Sequence, residues 1–238
     1  MIGDNYVLLP SGVLAFGAGL QEQNVDERVQ RWQENITNMA FFLILAGSQT
    51  AEIEGISAAG STAVSRRYTA VADAELLLRG PTLHKTWPLP PLPAGVSPAL
   101  ISYVASSFLK IKPTIISAGL LQSPPFNHVS LESPELGPSR CLSSGNAMER
   151  TRVKLLLDGG FKIGKKLEKS LLITECVPGG TSTAFAILSG LGINVTGLIS
   201  GSNRNPPTEL KTKLVKQGLK AAKLKKNPSS VELMAAFG

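Results

Sequence analysis

Residues 171–192, LLITECVPGGTSTAFAILSGLG, decide the fold class of this chain. Their first four residues form a short apolar run typical of a buried β-strand, and the carboxylate of Glu175 follows it. Pro178 and two glycines then predict a turn, and an apolar helix is predicted from about Ala184. Such strand–turn–helix units build parallel α/β sheets, so the stretch indicates an α/β fold.

The turn in this stretch has the composition of an anion-binding site. Glycines and hydroxyl residues before a helix direct N–H and O–H donors toward the positive end of the helix dipole, which favours a phosphate. The residues concerned are Gly179, Gly180, Thr181, Ser182 and Thr183. Neither GxxxxGK[ST] nor GxGxxG is present, so the turn is not a P-loop or a dinucleotide fingerprint. The alternative interpretation is a glycine turn that serves only close packing of helix on strand.

The composition indicates a folded chain with a large core. Of the 238 residues, 43% are hydrophobic and 17% charged, which excludes general disorder. The two cysteines, Cys141 and Cys176, form no CxxC pair, and two histidines are too few for a histidine-rich metal site. We interpret Cys176 as a small buried residue rather than a nucleophile, because no histidine lies near it in the sequence.

Alternating apolar runs and helical patterns predict the rest of the fold. Strands are predicted at 39–46, 113–118, 171–174 and 195–199, and helices at 68–79, 99–109 and 150–167, the last broken near Gly159 and Gly160. The prediction is a Rossmann-like parallel sheet flanked by helices in residues 38–238, after an irregular and helical segment, residues 1–37. Residues 87–98 are interpreted as a proline-rich linker or lid, and residues 122–140 as a long loop.

In a parallel sheet the ligand lies beyond the carboxyl ends of the strands. Four predicted loops have that position, namely residues 47–60, 119–125, 175–183 and 200–203. We therefore expect these loops to meet at one ligand site, with the Glu175 carboxylate beside the phosphate turn.

The charge of the chain is concentrated in one segment. The net charge is +7, and seven lysines fall between Lys211 and Lys226 among leucines at helical spacing. This pattern predicts an amphipathic helix with a solvated basic face. Nucleic-acid binding is the alternative, but the segment lacks interleaved aromatics and a known motif. No apolar run reaches the ~20 residues that a membrane span needs, and the N-terminus does not fit a signal peptide, so a cytoplasmic protein is expected.

Several segments together resemble the nicotinate mononucleotide-dependent phosphoribosyltransferases of the CobT type, in particular their cyanobacterial and archaeal branch. The likeness is collinear from about residue 38 to the last residue. It is carried by FFLILAGSQTAEIEGISAAG (41–60), YTAVADAELLLRG (68–80), LPPLPAGVSPALIS (89–102), SAGL (117–120), GPSRCLSSGNAM (137–148) and ITECVPGGTSTAFAILSGLGI (173–193).

The resemblance implies a reaction and its substrates. The family transfers phosphoribose from nicotinate mononucleotide to a base, 5,6-dimethylbenzimidazole or in some cases adenine, and releases nicotinate and an α-ribazole-type phosphate for the nucleotide loop of cobalamin. It implies no metal and no other cofactor, and a homodimer is common in the family. Displacement at the anomeric carbon has oxocarbenium character, so a nearby carboxylate and an anchored phosphate both favour it.

The resemblance also implies roles for individual residues. Glu175 matches the glutamate that opens the phosphoribosyl loop and is expected to face the ribose or the acceptor base. The ribose phosphate is expected to bind Gly179, Gly180, Thr181, Ser182 and Thr183, together with a second loop formed by Ser200, Gly201 and Ser202. Lys211 fits a phosphate-contacting lysine, with a solvated lysine as the alternative. Ser57 corresponds to a serine near the acceptor base.

The chain departs from the family pattern at its C-terminus. In the family, the counterpart of residues 231–238 is followed by a GDPxQ-like stretch, further strands and helices, and a GGSQM-like loop, and the general-base glutamate of the best-known bacterial members lies in that part. The chain is thus expected to match the N-terminal two-thirds of the family domain, with a sheet that is incomplete at its C-terminal end. Such a sheet would leave an unpaired edge and exposed apolar faces, so self-association is expected.

Three functional hypotheses follow. The first is a phosphoribosyltransferase of lower-ligand assembly. The second is a nucleotide-binding homologue that lacks catalysis. Glu175→Gln distinguishes the two, because in an enzyme this substitution should abolish turnover but spare nucleotide binding. The third is a nucleic-acid or partner-binding module that uses the lysine helix, for which affinity should fall steeply with salt.

Overall fold

The computed structural model describes residues 22–82, 86–87 and 97–238. At its centre lies a four-stranded sheet in which every neighbouring pair of strands is parallel. In chain order the strands are β1 (Ala40–Ala46), β2 (Thr114–Ala118), β3 (Val129–Ser130) and β4 (Leu171–Cys176), and their spatial order is β3-β2-β1-β4. The α/β class and the parallel sheet predicted from the sequence are confirmed.

Helices flank this sheet. They are α1 (Glu22–Asn35), α2 (Ala63–Arg79), α3 (Pro98–Leu109), α4 (Arg150–Gly164), α5 (Gly180–Gly190), α6 (Thr208–Ala222) and α7 (Ser230–Phe237). Hydroxyl residues begin several of them. Thr62 and Ser65 form a capping box at α2, and Ser229 and Glu232 form another at α7, which satisfies N–H groups at each helix start.

The main core lies between the sheet and α2. Burial alternates along β1, so that Phe41, Leu43 and Leu45 face the core. Small and aliphatic residues of α2, such as Ala70 and Leu77, pack against them. A second core joins α5, α6 and α7 and contains Phe185, Leu214, Val215, Leu233 and Phe237. Together the two cores hold β4 and α5, which carry the predicted site, against the rest of the domain.

One predicted strand is wrong. Residues 195–199 form a turn, because Gly197 has φ of 78°, a left-handed conformation that interrupts an extended strand. Val195 and Ile199 instead pack against the second core. The fourth strand of the sheet is β3, which lies within the segment that was predicted to be a loop and which pairs with β2 through only two residues.

Three helical predictions also need correction. α4 runs without a break through Gly159 and Gly160, since a glycine inside a helix costs only about 1 kcal/mol relative to alanine and does not by itself end the helix. α5 begins at Gly180 rather than near Ala184, so the glycine turn is shorter than predicted. The basic helix ends at Ala222, and α7, which the sequence analysis did not predict, follows it.

Most of the proline-rich segment interpreted as a linker or lid lies outside the described residues, as does the N-terminal stretch before α1. Within the predicted N-terminal segment, the structure describes α1 and a single 3-10 turn at Ile36–Asn38. The division into residues 1–37 and 38–238 stays a prediction.

Candidate functional site

The loops that follow β1 and β2 meet at the carboxyl end of the sheet. Gly47 directly follows β1 and Gly119 directly follows β2, and a Cβ atom on Gly47 would lie 2.7 Å from the carbonyl oxygen of Gly119. Only glycine allows this approach. It brings the loop after β1 and the loop after β2 to the same edge as Glu175, which is the position expected of a ligand site in a parallel sheet.

The turn after β4 is tighter than predicted. Gly179 has φ of 78° and ends the turn in the left-handed conformation, which glycine adopts without strain. The N–H of Gly180 donates to the carbonyl of Val177 at 2.8 Å, and the N–H of Ser182 donates to the carbonyl of Gly179 at 2.9 Å. Two of the N–H groups that were predicted to bind a phosphate are thus engaged by the turn itself.

Lys211 joins the two predicted phosphate-binding loops. Its ammonium donates to the Thr181 hydroxyl at 2.9 Å and to the Ser200 carbonyl at 2.7 Å. A Cβ atom on Gly201 would lie 2.8 Å from the same nitrogen, so a larger residue there would displace the Lys211 ammonium. The residue is only 1% exposed, and burial lowers the pKa of its ammonium. The alternative interpretation of Lys211 as a solvated lysine is therefore wrong.

Ser57 and Ser202 connect the loop after β1 with the second predicted phosphate loop. Their hydroxyl oxygens lie 3.0 Å apart, and the Ser202 hydroxyl also accepts the N–H of Ala58 at 2.9 Å. The Asn203 amide donates to the Gly55 carbonyl at 3.2 Å. These bonds place Ser57 and Ser202 in the wall of the same cavity as Thr181.

Arg66 organises the loop that carries Ser57, a role that the sequence analysis missed. The side chain is buried on α2, and its guanidinium donates to the carbonyls of Ala51, of Gly60 at 3.0 Å and of Ile53 at 3.2 Å. An arginine in a helix is usually solvated, so no pattern in the sequence marked this one. These bonds satisfy backbone carbonyl groups that have no partners in a regular helix or strand, and they hold the loop after β1 against α2.

Glu175 lies between two cavities at this edge of the sheet. The first has a volume of about 370 Å³, the second about 420 Å³, and Glu175, Val177 and Gly180 line both. Loss of solvation raises the pKa of the Glu175 carboxyl above its ordinary value, and a backbone hydrogen bond at Val177 opposes the shift in part. A carboxylate with a raised pKa is a better proton acceptor than an ordinary glutamate.

The two cavities differ in their walls. The first combines the hydroxyl residues named above with an apolar wall that includes Phe41, Leu43 and Leu77. The second contains Thr183 and a buried ion pair, in which Arg152 donates to the two carboxylate oxygens of Glu132 at 2.8 and 2.7 Å. Because both partners are buried and paired in two places, this pair is a fixed part of the wall.

The predicted residues thus fall into three groups. The first cavity is lined by Ser57, Glu175, Gly179, Gly180, Thr181 and Ser202, and Lys211 and Ser200 are joined to it through Thr181. Thr183 lines the second cavity. Ser182 lines neither; its side chain is fully buried, and its hydroxyl has no partner within the part of the chain that the structure describes.

Among residues 22–82, 86–87 and 97–238, no group of three or more His, Cys, Asp or Glu side chains could hold a metal ion. None of the helices described in the structure has the length and apolar character that crossing a membrane requires.

Comparison with known proteins identifies sequence relatives in cyanobacteria. No protein-family model matches the chain. It is 50% identical over 230 residues to a UPF0284 protein of Prochlorococcus marinus strain MIT 9313 and to one of Parasynechococcus marenigrum strain WH8102. Each match covers 97% of this chain but only 57% and 58% of the two relatives, so the chain spans less than two thirds of their length. A UPF0284 protein of Microcystis aeruginosa strain NIES-843 is 40% identical over 198 residues.

Solved structures share the fold. Crystal structures of CobT and of nicotinate-nucleotide-dimethylbenzimidazole phosphoribosyltransferase, both from Thermus thermophilus, superpose with TM-scores of 0.58 and 0.53. Each is 16% identical in sequence and covers 84% of this chain, which in turn covers 54% and 53% of those chains. At this identity the likeness concerns the fold alone. The chain is thus similar in sequence to cyanobacterial UPF0284 proteins and similar in its α/β fold to CobT of T. thermophilus.

Proposed function

We propose that the chain carries the site of a phosphoribosyl transfer from nicotinate mononucleotide to a nitrogen base, as in the assembly of the lower ligand of cobalamin. The observation that carries the proposal is the position of Glu175, which lines two cavities next to the first turn of α5. The CobT-like fold supports it as well. Because the chain covers just over half of its relatives, the activity is proposed for the protein as a whole.

The donor phosphate would bind where Lys211 meets Thr181 and Ser200. The buried ammonium has three N–H donors, of which two are used by these partners. Its charge and the N-terminus of α5 both favour an anion. Ser202 and Ser57 add hydroxyls to the same cavity. The phosphate would therefore be held by side chains and one ammonium, rather than by a cradle of backbone N–H groups.

The transfer requires the leaving nicotinate and the entering nitrogen heterocycle to lie on opposite sides of the ribose. The C1′–N bond to nicotinate breaks and its electron pair leaves with the nicotinate nitrogen, while a lone pair on the acceptor nitrogen forms the new C1′–N bond. The proton of the acceptor N–H must pass to a base. Inversion at C1′ places the leaving and entering bases on opposite faces, and two cavities on either side of one carboxylate suit this arrangement.

Glu175 would serve this step in two ways. As a carboxylate it stabilises the positive charge that develops on the ribose, and it can take the proton of the acceptor because its pKa is raised. The resemblance places the general base of the best-known bacterial members in another segment of the family domain. Glu175 is therefore proposed as an electrostatic stabiliser first and as a proton acceptor where no other base is present.

Nicotinate release tests the proposal. The purified chain is incubated with nicotinate mononucleotide, with and without 5,6-dimethylbenzimidazole or adenine, and the products are separated by chromatography. We expect release that depends on the base and that falls by roughly 10²-fold or more in Glu175→Gln, the range typical of a positioned acid–base group. Glu168→Gln, which changes an exposed glutamate before β4, is the matched control and should release nicotinate at the original rate.

Binding of nicotinate mononucleotide, measured by calorimetry, separates the alternatives. Binding without release would overturn the transfer and favour the hypothesis of a nucleotide-binding homologue without catalysis. Absence of both would overturn the phosphate site as well. The homodimer and the cytoplasmic location expected from the sequence stay predictions.

A further inference from the structure

A buried arginine lines the second cavity. The side chain of Arg152 comes from the first turn of α4, and much of the wall around it is apolar, with Met148, Leu156 and Ile187 among its residues. A cation in such a wall is costly unless a partner or a ligand compensates its charge. Glu132 is a partner, but it does not occupy the whole guanidinium.

Three hydrogen bonds fix the position of the Arg152 guanidinium. Nε and Nη2 donate to the two carboxylate oxygens of Glu132, and Nη2 also donates to the carbonyl of Gly137 at 2.6 Å. Gly119, directly after β2, leaves room for the group, because a Cβ atom there would lie 2.8 Å from Nη2. The guanidinium is therefore held in one orientation at the cavity wall.

One nitrogen of this guanidinium remains available. An arginine has five N–H donors, and the three bonds use those of Nε and Nη2. Nη1 has no hydrogen-bond partner in the part of the chain that the structure describes, and it is not among the nitrogens there that are both enclosed and unpaired. Nη1 therefore offers two N–H donors to the second cavity.

A fixed cationic donor in an apolar wall suits a flat ring that carries a carboxylate. Guanidinium groups bind carboxylates through charge-assisted hydrogen bonds, and apolar side chains suit the faces of a ring. We propose that the second cavity binds the nicotinate part of the donor, and that Arg152 distinguishes its carboxylate from a carboxamide. This proposal rests on the proposed function, because it takes Glu175 as the group between the leaving and entering bases.

The same contact favours cleavage of the bond to the ribose. In nicotinate mononucleotide the ring nitrogen is positively charged and partly cancels the charge of the carboxylate. When the C1′–N bond breaks, its electron pair returns to the ring nitrogen and the positive charge passes to the ribose. The attraction between the carboxylate and Arg152 therefore grows toward the transition state, which accelerates the step. A carboxamide gains no such attraction.

Calorimetry with free nicotinate and free nicotinamide tests the proposal on the wild-type chain. Both molecules have the same ring, and both can accept a hydrogen bond from Nη1, but only nicotinate is charged. A bond to a charged acceptor exceeds one to a neutral acceptor by an amount that corresponds to roughly ten-fold in affinity. We therefore expect nicotinate to bind roughly ten-fold more tightly than nicotinamide. This comparison does not depend on the folding of any variant.

Two variants separate a ligand-binding arginine from a purely structural ion pair. Glu132→Gln keeps Arg152 and removes the carboxylate that neutralises it, so nicotinate affinity should rise by roughly ten-fold while nicotinamide affinity stays unchanged. Adding Arg152→Met to Glu132→Gln removes both charges together and should abolish the preference for nicotinate. Glu135→Gln, which changes an exposed glutamate of the same loop, is the matched control and should keep the wild-type preference. Thermal melts establish that each variant is folded.

The outcomes distinguish this proposal from the proposed function. Equal affinity for nicotinate and nicotinamide, no binding of either, or no rise in Glu132→Gln would overturn the role of Arg152. Base-dependent nicotinate release in the same preparation would still leave the transfer standing. A preference that survives in the double variant and disappears in Lys211→Met would assign the carboxylate to the phosphate site and overturn the proposal. The expected preference without any release would instead overturn the transfer and retain the nicotinate site.

Discussion

The ammonium of Lys211 donates to the hydroxyl of Thr181 at 2.9 Å and so ties α6 to the first turn of α5. The two residues are 30 positions apart in the sequence, and α5 and α6 pack against each other in the second core. Other lysines of α6, such as Lys213 and Lys216, are exposed. One lysine of a basic helix therefore points into the protein at the place where an anion is proposed to bind.

Lys211→Met is expected to abolish the phosphate site while leaving the fold intact. Methionine fills a similar volume, and loss of the ammonium removes the cost of burying a charge, which offsets the two hydrogen bonds lost to Thr181 and Ser200. The nucleotide would lose a charge-assisted hydrogen bond, so its affinity should fall by roughly 10- to 100-fold. Calorimetry with nicotinate mononucleotide measures the affinity, and a thermal melt measures stability.

Lys213→Met is the matched control, because it removes an exposed lysine of the same helix. Its affinity for the nucleotide should equal that of the wild type. A large fall in melting temperature for Lys211→Met, with unchanged affinity, would show that Lys211 serves the packing of α5 on α6 rather than a ligand.

The raised pKa of Glu175 predicts the pH dependence of the transfer. The carboxylate is the active form, so the rate should rise with pH as Glu175 loses its proton. Because burial raises its pKa, the midpoint of this rise should lie above the ordinary value for a glutamate. The pH profile of nicotinate release under single-turnover conditions measures it.

In Glu175→Gln the remaining rate of nicotinate release should no longer rise with pH over this range, since the glutamine side chain does not titrate. An acidic limb that persists unchanged in Glu175→Gln would assign the titration to another group and contradict the role given to Glu175.

The sheet was largely predictable, because its strands are continuous apolar runs. Residues 39–46, 113–118 and 171–174 all fall on observed strands, which differ by one or two residues at their ends. β3 could not be predicted, since a strand of two residues has no periodicity. Its place in the sheet is set by pairing with β2, which only the folded chain shows.

The candidate site could be predicted where its residues form a local motif, and could not be predicted where they are distant in sequence. The glycine turn and its hydroxyl residues form one short segment, so Glu175 and Thr181 could be identified together. Asp73 and Cys176 are 103 positions apart, and no local pattern joins them. Arg66 likewise contacts a loop whose carbonyl groups carry no sequence signal.

The apolar residues exposed on α4 predict self-association. Phe161 is 65% exposed and Leu157 is 45% exposed. Both line an apolar groove of about 620 Å³ that also includes Ile187 and Met234. Exposed apolar patches favour association, so the sedimentation coefficient of the purified chain should rise with concentration.

A variant with both Leu157→Glu and Phe161→Glu should sediment as a monomer over the same concentration range. Lys154→Glu changes the charge of α4 without removing an apolar side chain and should associate as the wild type does. If the wild-type chain stays monomeric at high concentration, both the predicted self-association and the homodimer expected from the sequence are contradicted.

Gly179→Ala should destabilise the protein and weaken the site at once. Gly179 has φ of 78°, which an alanine adopts only with strain, and a Cβ atom there would lie 3.3 Å from the backbone of Ala51. Relief of this crowding would shift the turn away from the loop after β1. We expect a loss of about 1–3 kcal/mol in the free energy of unfolding, measured in urea.

Gly160→Ala is the matched control for this substitution. Gly160 lies inside α4, a Cβ atom there meets nothing within 4 Å, and alanine favours the helix by about 0.5–1 kcal/mol. Gly160→Ala should therefore stabilise the protein and leave nucleotide affinity unchanged. If Gly179→Ala is as stable as the wild type, the turn can adopt a second conformation without cost. The close approach of α5 to Ala51 would then not determine the shape of the site.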